Sequence, residues 1–321
     1  MKKKINYTVF FLCLLSFMFL ISCEKKDTNA TTNSPDSSND NIVVAFKHPE
    51  TEQKYKIINA YKLFNSYIDK LESNPDASAI EIYQKEIIEP VYNDCFADAE
   101  HIHMADSFLK EVPINLSEIV KVNEKIDEEE TEKIIKEALI KSSNIIPAEK
   151  ETTVCVFPST NANLPVMVTV GSGKIIVLYN KDYTEEILRA SIVHEYHHSV
   201  WTDKYFNKKM SFSVLDNLIF EGKAVMFGKL VYPEVNFPQV YSTFDKRLWS
   251  KIEPDLHKYD LDRSLEILMG GNGIPYHYGY SEGYKMVKSF LDLNPNVKPE
   301  EWTAMSAKDI FEKGNYLEHY K

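Results

Sequence analysis

Two histidines and a glutamate stand close together near residue 195. The segment His194-Glu195-Tyr196-His197-His198 places histidines four residues apart, with a glutamate directly after the first. On an α-helix, residues four apart leave the same face about 6 Å apart along the axis, so both imidazoles can reach one metal ion. Imidazole nitrogens suit Zn²⁺, and Glu195 projects beside them, where it can take a proton from water. We therefore predict His194 and His198 as zinc ligands and Glu195 as a general base.

A third candidate ligand, Glu221, lies 23 residues after His198 in an otherwise apolar segment. An unpaired buried carboxylate is costly, so Glu221 needs a partner. A metal ion supplies one, and catalytic zinc usually has three protein ligands and a water. A helix-end carboxylate paired with Lys223 or Arg189 is the alternative.

The other histidines carry weaker arguments. His197 lies about 100° around the helix from His198, so we predict a packed neighbour rather than a ligand. His101 and His103 form a His-x-His pair that could bind metal on a strand. We interpret their segment as a helix, where side chains two residues apart diverge, and do not predict them as ligands.

The motif needs a helix to hold it and strands to support that helix. Residues 152–157, 166–170 and 174–179 have the alternating or continuous apolar pattern of strands, and Gly171-Ser172-Gly173 forms the turn between the last two. Cap residues at 180–184 then predict a helix from Glu185 to about Trp201. The pattern after Ser213 is mostly helical.

The first half of the chain has a different pattern. Residues 50–143 are charged and predicted to be helical, with one amphipathic helix running from Tyr55 to Tyr67. We therefore predict an α+β fold. Its parts are an N-terminal helical region over 43–150 and a zinc-dependent catalytic domain over 151–321, with a small mixed sheet packed on the motif helix and a mostly helical C-terminal part.

The N-terminus carries a targeting signal. Three lysines at positions 2–4 precede an apolar stretch over 9–21, which is the charge layout of a secretory signal. The segment Leu20-Ile21-Ser22-Cys23 resembles the lipobox of bacterial lipoproteins. That resemblance implies removal of a signal peptide over 1–22, lipidation of Cys23, a polar flexible linker over 23–42, and a place in the cell envelope, anchored to a bacterial membrane and facing the periplasm or exterior. An ordinary signal peptide or an uncleaved anchor is the alternative.

Composition excludes some partners. The 321 residues include 37 Lys and Arg against 48 Asp and Glu, a net charge of −11 that becomes −14 without the three N-terminal lysines. Nucleic-acid binding needs a basic face, so no nucleic-acid partner is expected. Cys95 and Cys155 are the cysteines left after the lipidated residue, and the sequence leaves open whether they pair or remain buried thiols.

Taken together, these motifs resemble the gluzincin class of zinc metallopeptidases, and more closely a bacterial family of predicted zinc-dependent proteases. The matching segments are the strand over 174–179, the HExxH helix, Glu221-Gly222-Lys223-Ala224 and Gly279-Tyr280-Ser281-Glu282-Gly283-Tyr284. The resemblance covers roughly residues 150–315. It implies zinc held by His194, His198 and Glu221, with Glu195 as general base. It also implies that the strand over 174–179 forms one wall of a cleft, where an extended peptide adds as a strand.

The sequence departs from the gluzincin pattern behind the ligands. Gluzincins such as thermolysin carry an acid four residues after the third ligand, where this chain has Val225. We predict Asn217 as the substitute that orients a ligand. For the donor that stabilises an oxyanion we predict Tyr280, from the family-like Gly-Tyr position, and His277 second; packing of these rings is the alternative.

The sequence thus predicts a lipid-anchored, zinc-dependent metallohydrolase, with a peptidase acting on peptide or protein substrates as the first interpretation. A non-catalytic envelope lipoprotein that binds metal, or binds or chaperones a partner, is the main alternative. Hydrolysis of a non-peptide amide is another.

Overall fold

A computed structural model describes residues 42–113, 115–161 and 166–321 of the protein. The predicted signal peptide, the lipidated Cys23 and nearly all of the predicted linker lie outside these ranges. None of the helices within them combines the length and the apolar run that a membrane crossing requires.

One five-stranded mixed sheet organises the described chain. Its strands are β1 (Val43–Lys47), β2 (Lys54–Ile58), β3 (Thr152–Pro158), β4 (Met167–Gly171) and β5 (Lys174–Tyr179). Their order across the sheet is β1-β2-β3-β5-β4. The pairs β2/β3 and β3/β5 are parallel, whereas β1/β2 and β4/β5 are antiparallel. β1 and β4 are therefore the two edges of the sheet.

Helices make up most of the remaining structure. They are α1 (Phe64–Ser73), α2 (Ala79–Tyr83), α3 (Tyr92–Cys95), α4 (Asp106–Lys110), α5 (Leu116–Lys125), α6 (Glu128–Ser143), α7 (Glu185–Tyr205), α8 (Val214–Val231), α9 (Lys246–Ile252), α10 (Leu261–Met269), α11 (Tyr278–Leu293), α12 (Pro299–Ala304) and α13 (Ala307–Lys313). Shorter helical turns are Ala60–Leu63, Gln84–Ile88, Glu89–Val91, Ile102–Ala105, Glu253–Asp255 and Tyr316–Tyr320. The predicted α+β class is confirmed.

The predicted amphipathic helix from Tyr55 to Tyr67 is wrong at its start. Residues Lys54–Ile58 form β2, and regular α-helix begins only at Phe64. The segment alternates lysines with buried Tyr55 and Ile57, which is the period of a strand, and its pairing with β3 decides the outcome. The region predicted to be wholly helical thus contributes β1 and β2 to the same sheet, which crosses the predicted boundary at residue 150.

Both faces of the sheet are covered. Val154 and Val156 of β3 point into a core shared with α6, α7 and α8. Cys155 and Phe157 point into a second core formed with the N-terminal helices. A buried disulfide between Cys95 and Cys155 ties α3 to β3 on this second side. Helices α1 to α5 therefore cover the face of the sheet opposite the motif helix.

Capping side chains fix the first residues of the two helices that carry the motif residues. The side chain of Thr184 caps α7 by accepting a hydrogen bond from the Ile187 amide at 3.2 Å. Ser213 and Asp216 form a capping box at the start of α8. These caps set where each helix begins and therefore which residues face its neighbours.

Helix α11 crosses α8 at a pair of glycines. A Cβ atom added at Gly283 would lie 1.9 Å from the carbonyl oxygen of Leu218, and one added at Gly222 would lie 2.1 Å from the carbonyl carbon of Gly283. Only glycine allows two helix backbones to approach this closely. The crossing brings Tyr280 on α11 toward Glu221 on α8.

Candidate metal centre

Three side-chain atoms converge between α7 and α8. Nε2 of His194 lies 3.0 Å from Oε2 of Glu221, Nε2 of His198 lies 3.2 Å from the same oxygen, and the two nitrogens are 3.0 Å apart. Ligands at 2.0–2.1 Å in a tetrahedral zinc site are about 3.3 Å from one another. The triangle therefore has nearly the size that zinc requires, and it is the one such metal-type group among the described residues.

The chemistry of these donors also fits a cation. Burial raises the pKa of Glu221, but the charges and hydrogen bonds of His198 and His194 outweigh it and hold that pKa below its usual range. The carboxylate stays ionised, as a metal ligand must be. Burial lowers the pKa of His198, yet the charge and hydrogen bond of Glu221 prevail and the net pKa is raised. The pocket thus favours positive charge beside Glu221, which zinc would supply.

The general-base candidate lies next to the triangle. Glu195 is half-buried, and its Oε2 accepts a hydrogen bond of 2.8 Å from the backbone amide of Thr169 on β4. The Thr169 hydroxyl donates to the backbone carbonyl of Glu195, also at 2.8 Å. These two bonds hold one turn of α7 against the edge strand and leave the other carboxylate oxygen of Glu195 available.

Tyr280 lies over the candidate ligands. Its ring centroid is 5.9 Å from that of His194. Burial raises the pKa of Tyr280 well above its ordinary value, and the charges of Glu221 and Glu195 raise it further. The hydroxyl therefore keeps its proton and can donate a hydrogen bond.

His277 lies beside Tyr280, with ring centroids 5.3 Å apart. The backbone amide of Gln239 donates to its Nδ1 over 3.4 Å, which leaves Nε2 to carry the proton of a neutral ring. Burial, and then the charge of His194, lower the pKa of His277 to about 4. The ring is thus neutral near pH 7 and offers an N–H donor.

The prediction for Asn217 needs correction. Its side-chain amide donates to the hydroxyl of Ser264 on α10 at 3.0 Å, not to a histidine. Within the described ranges, Nδ1 of His194 and Nδ1 of His198 are buried with no hydrogen-bond partner. Asn217 therefore joins α8 to α10, and among the described residues no side chain hydrogen-bonds to Nδ1 of either imidazole.

The remaining histidines behave largely as predicted. His197 is buried, stacks on Trp302 and lies 3.2 Å from the hydroxyl of Thr303, so it packs as a neighbour. His101 and His103, whose ring centroids are 6.3 Å apart, belong to no group of three potential metal ligands among the described residues. Both nevertheless line the same cavity as the triangle, a placement that no sequence pattern predicted.

The wall of the cleft is a different strand from the one implied by the resemblance. β5, over Lys174–Tyr179, is flanked by β3 and β4, so its backbone cannot accept another strand. The continuous apolar run over 175–178 was the available signal, because such runs are typical of interior strands. The edge strand β4 lies beside Glu195 instead and lines the cavity over 166–169.

The candidate ligands and the candidate catalytic residues line one cavity of about 1570 Å³. Its lining also includes many apolar side chains. The apolar side chains include Met104, Ile187, Trp201, Phe206, Phe212, Phe220, Phe237, Leu261, Leu265, Leu268 and Met269. The candidate metal centre thus opens into a large and mainly apolar cleft.

An α+β chain with two helical histidines, a glutamate from the next helix and an adjacent carboxylate has the constellation of a zinc-dependent hydrolase. The chain belongs to a family described as predicted Zn-dependent protease (DUF2268), whose model matches residues 131–312. The match runs from α6 to α13 and includes the three candidate ligands, Glu195, His277 and Tyr280. No curated protein and no solved structure matches the chain.

Proposed function

We propose that this protein is a zinc-dependent peptidase of the gluzincin type, in which His194, His198 and Glu221 hold the ion. The observation that carries the proposal is the triangle of ligand atoms with edges of 3.0–3.2 Å, next to Glu195 in one cleft. The family description supports zinc dependence and proteolysis.

The proposed chemistry assigns each group one task. Bound zinc would act as a Lewis acid, polarising the substrate carbonyl and lowering the pKa of water toward about 7. Glu195 accepts the proton of the attacking water on the carboxylate oxygen that Thr169 does not hold, and returns it to the leaving amine. Tyr280 donates from its hydroxyl to the developing oxyanion, and the Nε2–H of His277 is the second donor.

We place the substrate backbone along β4. The backbone amide of Leu178 on β5 donates to the carbonyl of Val166. Every second residue of an antiparallel strand bonds to its partner, so Val166 and Val168 direct their backbone groups at β5. Met167 directs its backbone groups toward the cavity, where an extended peptide can add as a further strand. The amide of Thr169 also points away from β5, but Glu195 accepts its hydrogen bond.

The edge open to such a peptide is short. The amide of His101 donates to the carbonyl of Val170 at 2.8 Å, and the carboxylate of Glu100 accepts from the amide of Ser172 at 2.8 Å. These contacts cover the end of β4. Strand pairing with a substrate is therefore confined to the stretch over 166–169, which positions only the residues nearest the cleaved bond.

We also propose a location outside the cytoplasm. The lipobox-like Leu20-Ile21-Ser22-Cys23 supports cleavage after residue 22 and lipidation of Cys23, with the polar stretch over 23–42 as a tether to a bacterial membrane. The Cys95–Cys155 disulfide fits this location because such bonds persist in exported compartments.

The test compares the wild-type full chain with Glu195→Gln on a library of quenched-fluorescent peptides, with zinc content measured in both. We expect equal zinc and a loss of cleavage of at least about 100-fold in the variant, the effect of removing a general base. Glu186→Gln, an exposed glutamate on the same helix, is the matched control and is expected to cleave like wild type. Wild-type protein that binds zinc but cleaves no peptide would contradict the proposal and favour a non-catalytic binding protein.

A further inference from the structure

One helix at the cleft exposes apolar side chains where polar ones are usual. Leu261, Leu265 and Met269 of α10 are 63%, 44% and 42% exposed. They recur every four residues, so they form one stripe on the helix, and all three line the cavity that holds the candidate metal centre. We call this stripe the α10 lip.

Two of the three charged residues of α10, Arg263 and Glu266, are less exposed than its leucine and methionine lip, whereas Asp262 is exposed. The side chain of Arg263 is 17% exposed; it lies 2.8 Å from Asp255 and also donates to the Lys251 carbonyl at 2.7 Å. Glu266 pairs with Arg263 and is 22% exposed. A surface helix normally directs its charges at solvent and its apolar stripe at the core. Helix α10 exposes an apolar stripe in addition to its buried apolar face, which indicates that the lip has a binding role.

The lip is continuous with the candidate site. Ser264 accepts the hydrogen bond from Asn217, which lies one turn before Glu221 on α8. Leu268, beside the lip, is buried between α10 and the rest of the core and also lines the cavity. One wall of the cleft therefore runs from Glu221 through the Asn217–Ser264 contact to the lip.

We propose that the α10 lip binds large apolar side chains of an extended peptide whose backbone lies on β4. An occupant that fills both surfaces must offer backbone hydrogen bonds to Met167 on β4 together with apolar side chains for the lip. An extended peptide has both, whereas an acyl chain has no backbone groups to pair. The inference deepens the proposed peptidase function by naming its substrate class, and rests on that function for cleavage but not for binding.

The first test measures binding without turnover. Zinc-loaded full chain carrying Glu195→Gln is titrated with dye-labelled peptides that differ only in having leucine and phenylalanine, serine, or aspartate and lysine at their central positions. We expect the apolar peptides to bind at least about tenfold more tightly, the effect of covering part of one or two large apolar side chains. Adding Leu265→Ser should remove most of that preference. Leu293→Ser, at a leucine 57% exposed on α11 outside the cavity, should leave it intact.

The second test measures cleavage by otherwise wild-type protein. Leu265→Ser should lower kcat/KM for apolar peptides about 5- to 20-fold and leave kcat/KM for serine peptides unchanged. Equal binding of all peptides, or an apolar preference that survives Leu265→Ser together with Leu261→Ser, would overturn the inference. So would a wild-type dimer that these substitutions dissociate, since the lip would then belong to a second copy. Apolar-selective binding without any cleavage would support the lip and refute the peptidase.

Discussion

The glycine crossing of α8 and α11 gives a sharp prediction about how the fold positions the site. In Gly283→Ala the new methyl group would lie 1.9 Å from the Leu218 carbonyl oxygen, whereas real Cβ contacts essentially never fall below 3.0 Å. The two helices would have to separate by about 1 Å or more. Because α8 carries Glu221 and α11 carries Tyr280, the separation would change the positions of these two residues relative to each other and to His194 on α7.

The magnitude follows from two opposing effects. Alanine is about 0.8–1 kcal/mol better than glycine in a helix interior. Overpacking a buried contact costs about 1–3 kcal/mol or more, and this contact is backbone against backbone, which relaxes poorly. Taking the upper end of the overpacking cost, we expect Gly283→Ala to lower the free energy of unfolding by a net amount of about 2 kcal/mol, with weakened zinc binding.

Gly228→Ala is the matched control on α8, because a Cβ atom at Gly228 would meet no atom within 4 Å. It should be neutral or raise the free energy of unfolding by up to about 1 kcal/mol. Urea unfolding monitored by far-ultraviolet circular dichroism, with zinc titration of each folded variant, measures both effects. Equal stability and zinc affinity of the two variants would refute the claim that the crossing holds the site together.

Three further predictions concern single groups. Tyr280→Phe should keep its zinc and lose about 10- to 1000-fold in kcat, as expected for loss of an oxyanion donor, and an unchanged kcat would exclude that role. The pKa of His277 is lowered to about 4 in the folded protein. Between about pH 6.5 and pH 4 this histidine is therefore protonated in the unfolded chain and neutral in the folded one, so the free energy of unfolding decreases as the pH decreases through this window. Chemical unfolding at pH 7 and pH 4.5 should show wild type losing about 1–2 kcal/mol more than His277→Gln, allowing for partial solvent screening; parallel losses would contradict the assignment. Replacing Cys95 and Cys155 by alanine removes a crosslink between residues 60 apart and should lower the free energy of unfolding by about 2–4 kcal/mol, measured by urea unfolding without reductant. An unchanged free energy of unfolding would argue against a stabilising bond.

Local spacing was enough to predict how the candidate ligands meet. His194 and His198 share a face because they are four residues apart on one helix, a relation that depends on no distant residue. Glu221 was predicted from the cost of a buried carboxylate, and the structure places its Oε2 3.0 Å from His194. The α+β class followed from the apolar patterns of the strands and helices.

Features that depend on long-range pairing were not predicted correctly. The apolar run over 175–178 is typical of an interior strand, but it does not show which strands flank β5 or that β4 is the edge, since strand order depends on which segments pair across the sheet. The helix predicted from Tyr55 failed because spacings that fit a helical face also fit the alternation of a strand paired with β3. Asn217 was placed near a histidine by helix position alone, whereas the approach of Ser264 from α10 gives its amide a nearer partner.

The most direct test of the central claim is the zinc content of the full chain, measured by elemental analysis of wild type beside Glu221→Ala and the double variant His194→Ala/His198→Ala. With Glu186→Ala as the control for an exposed glutamate, we predict about one zinc per chain in wild type and control, and much less in the other two. Stoichiometric zinc that persists in His194→Ala/His198→Ala, or a wild-type chain that binds none, would contradict the proposed metal centre.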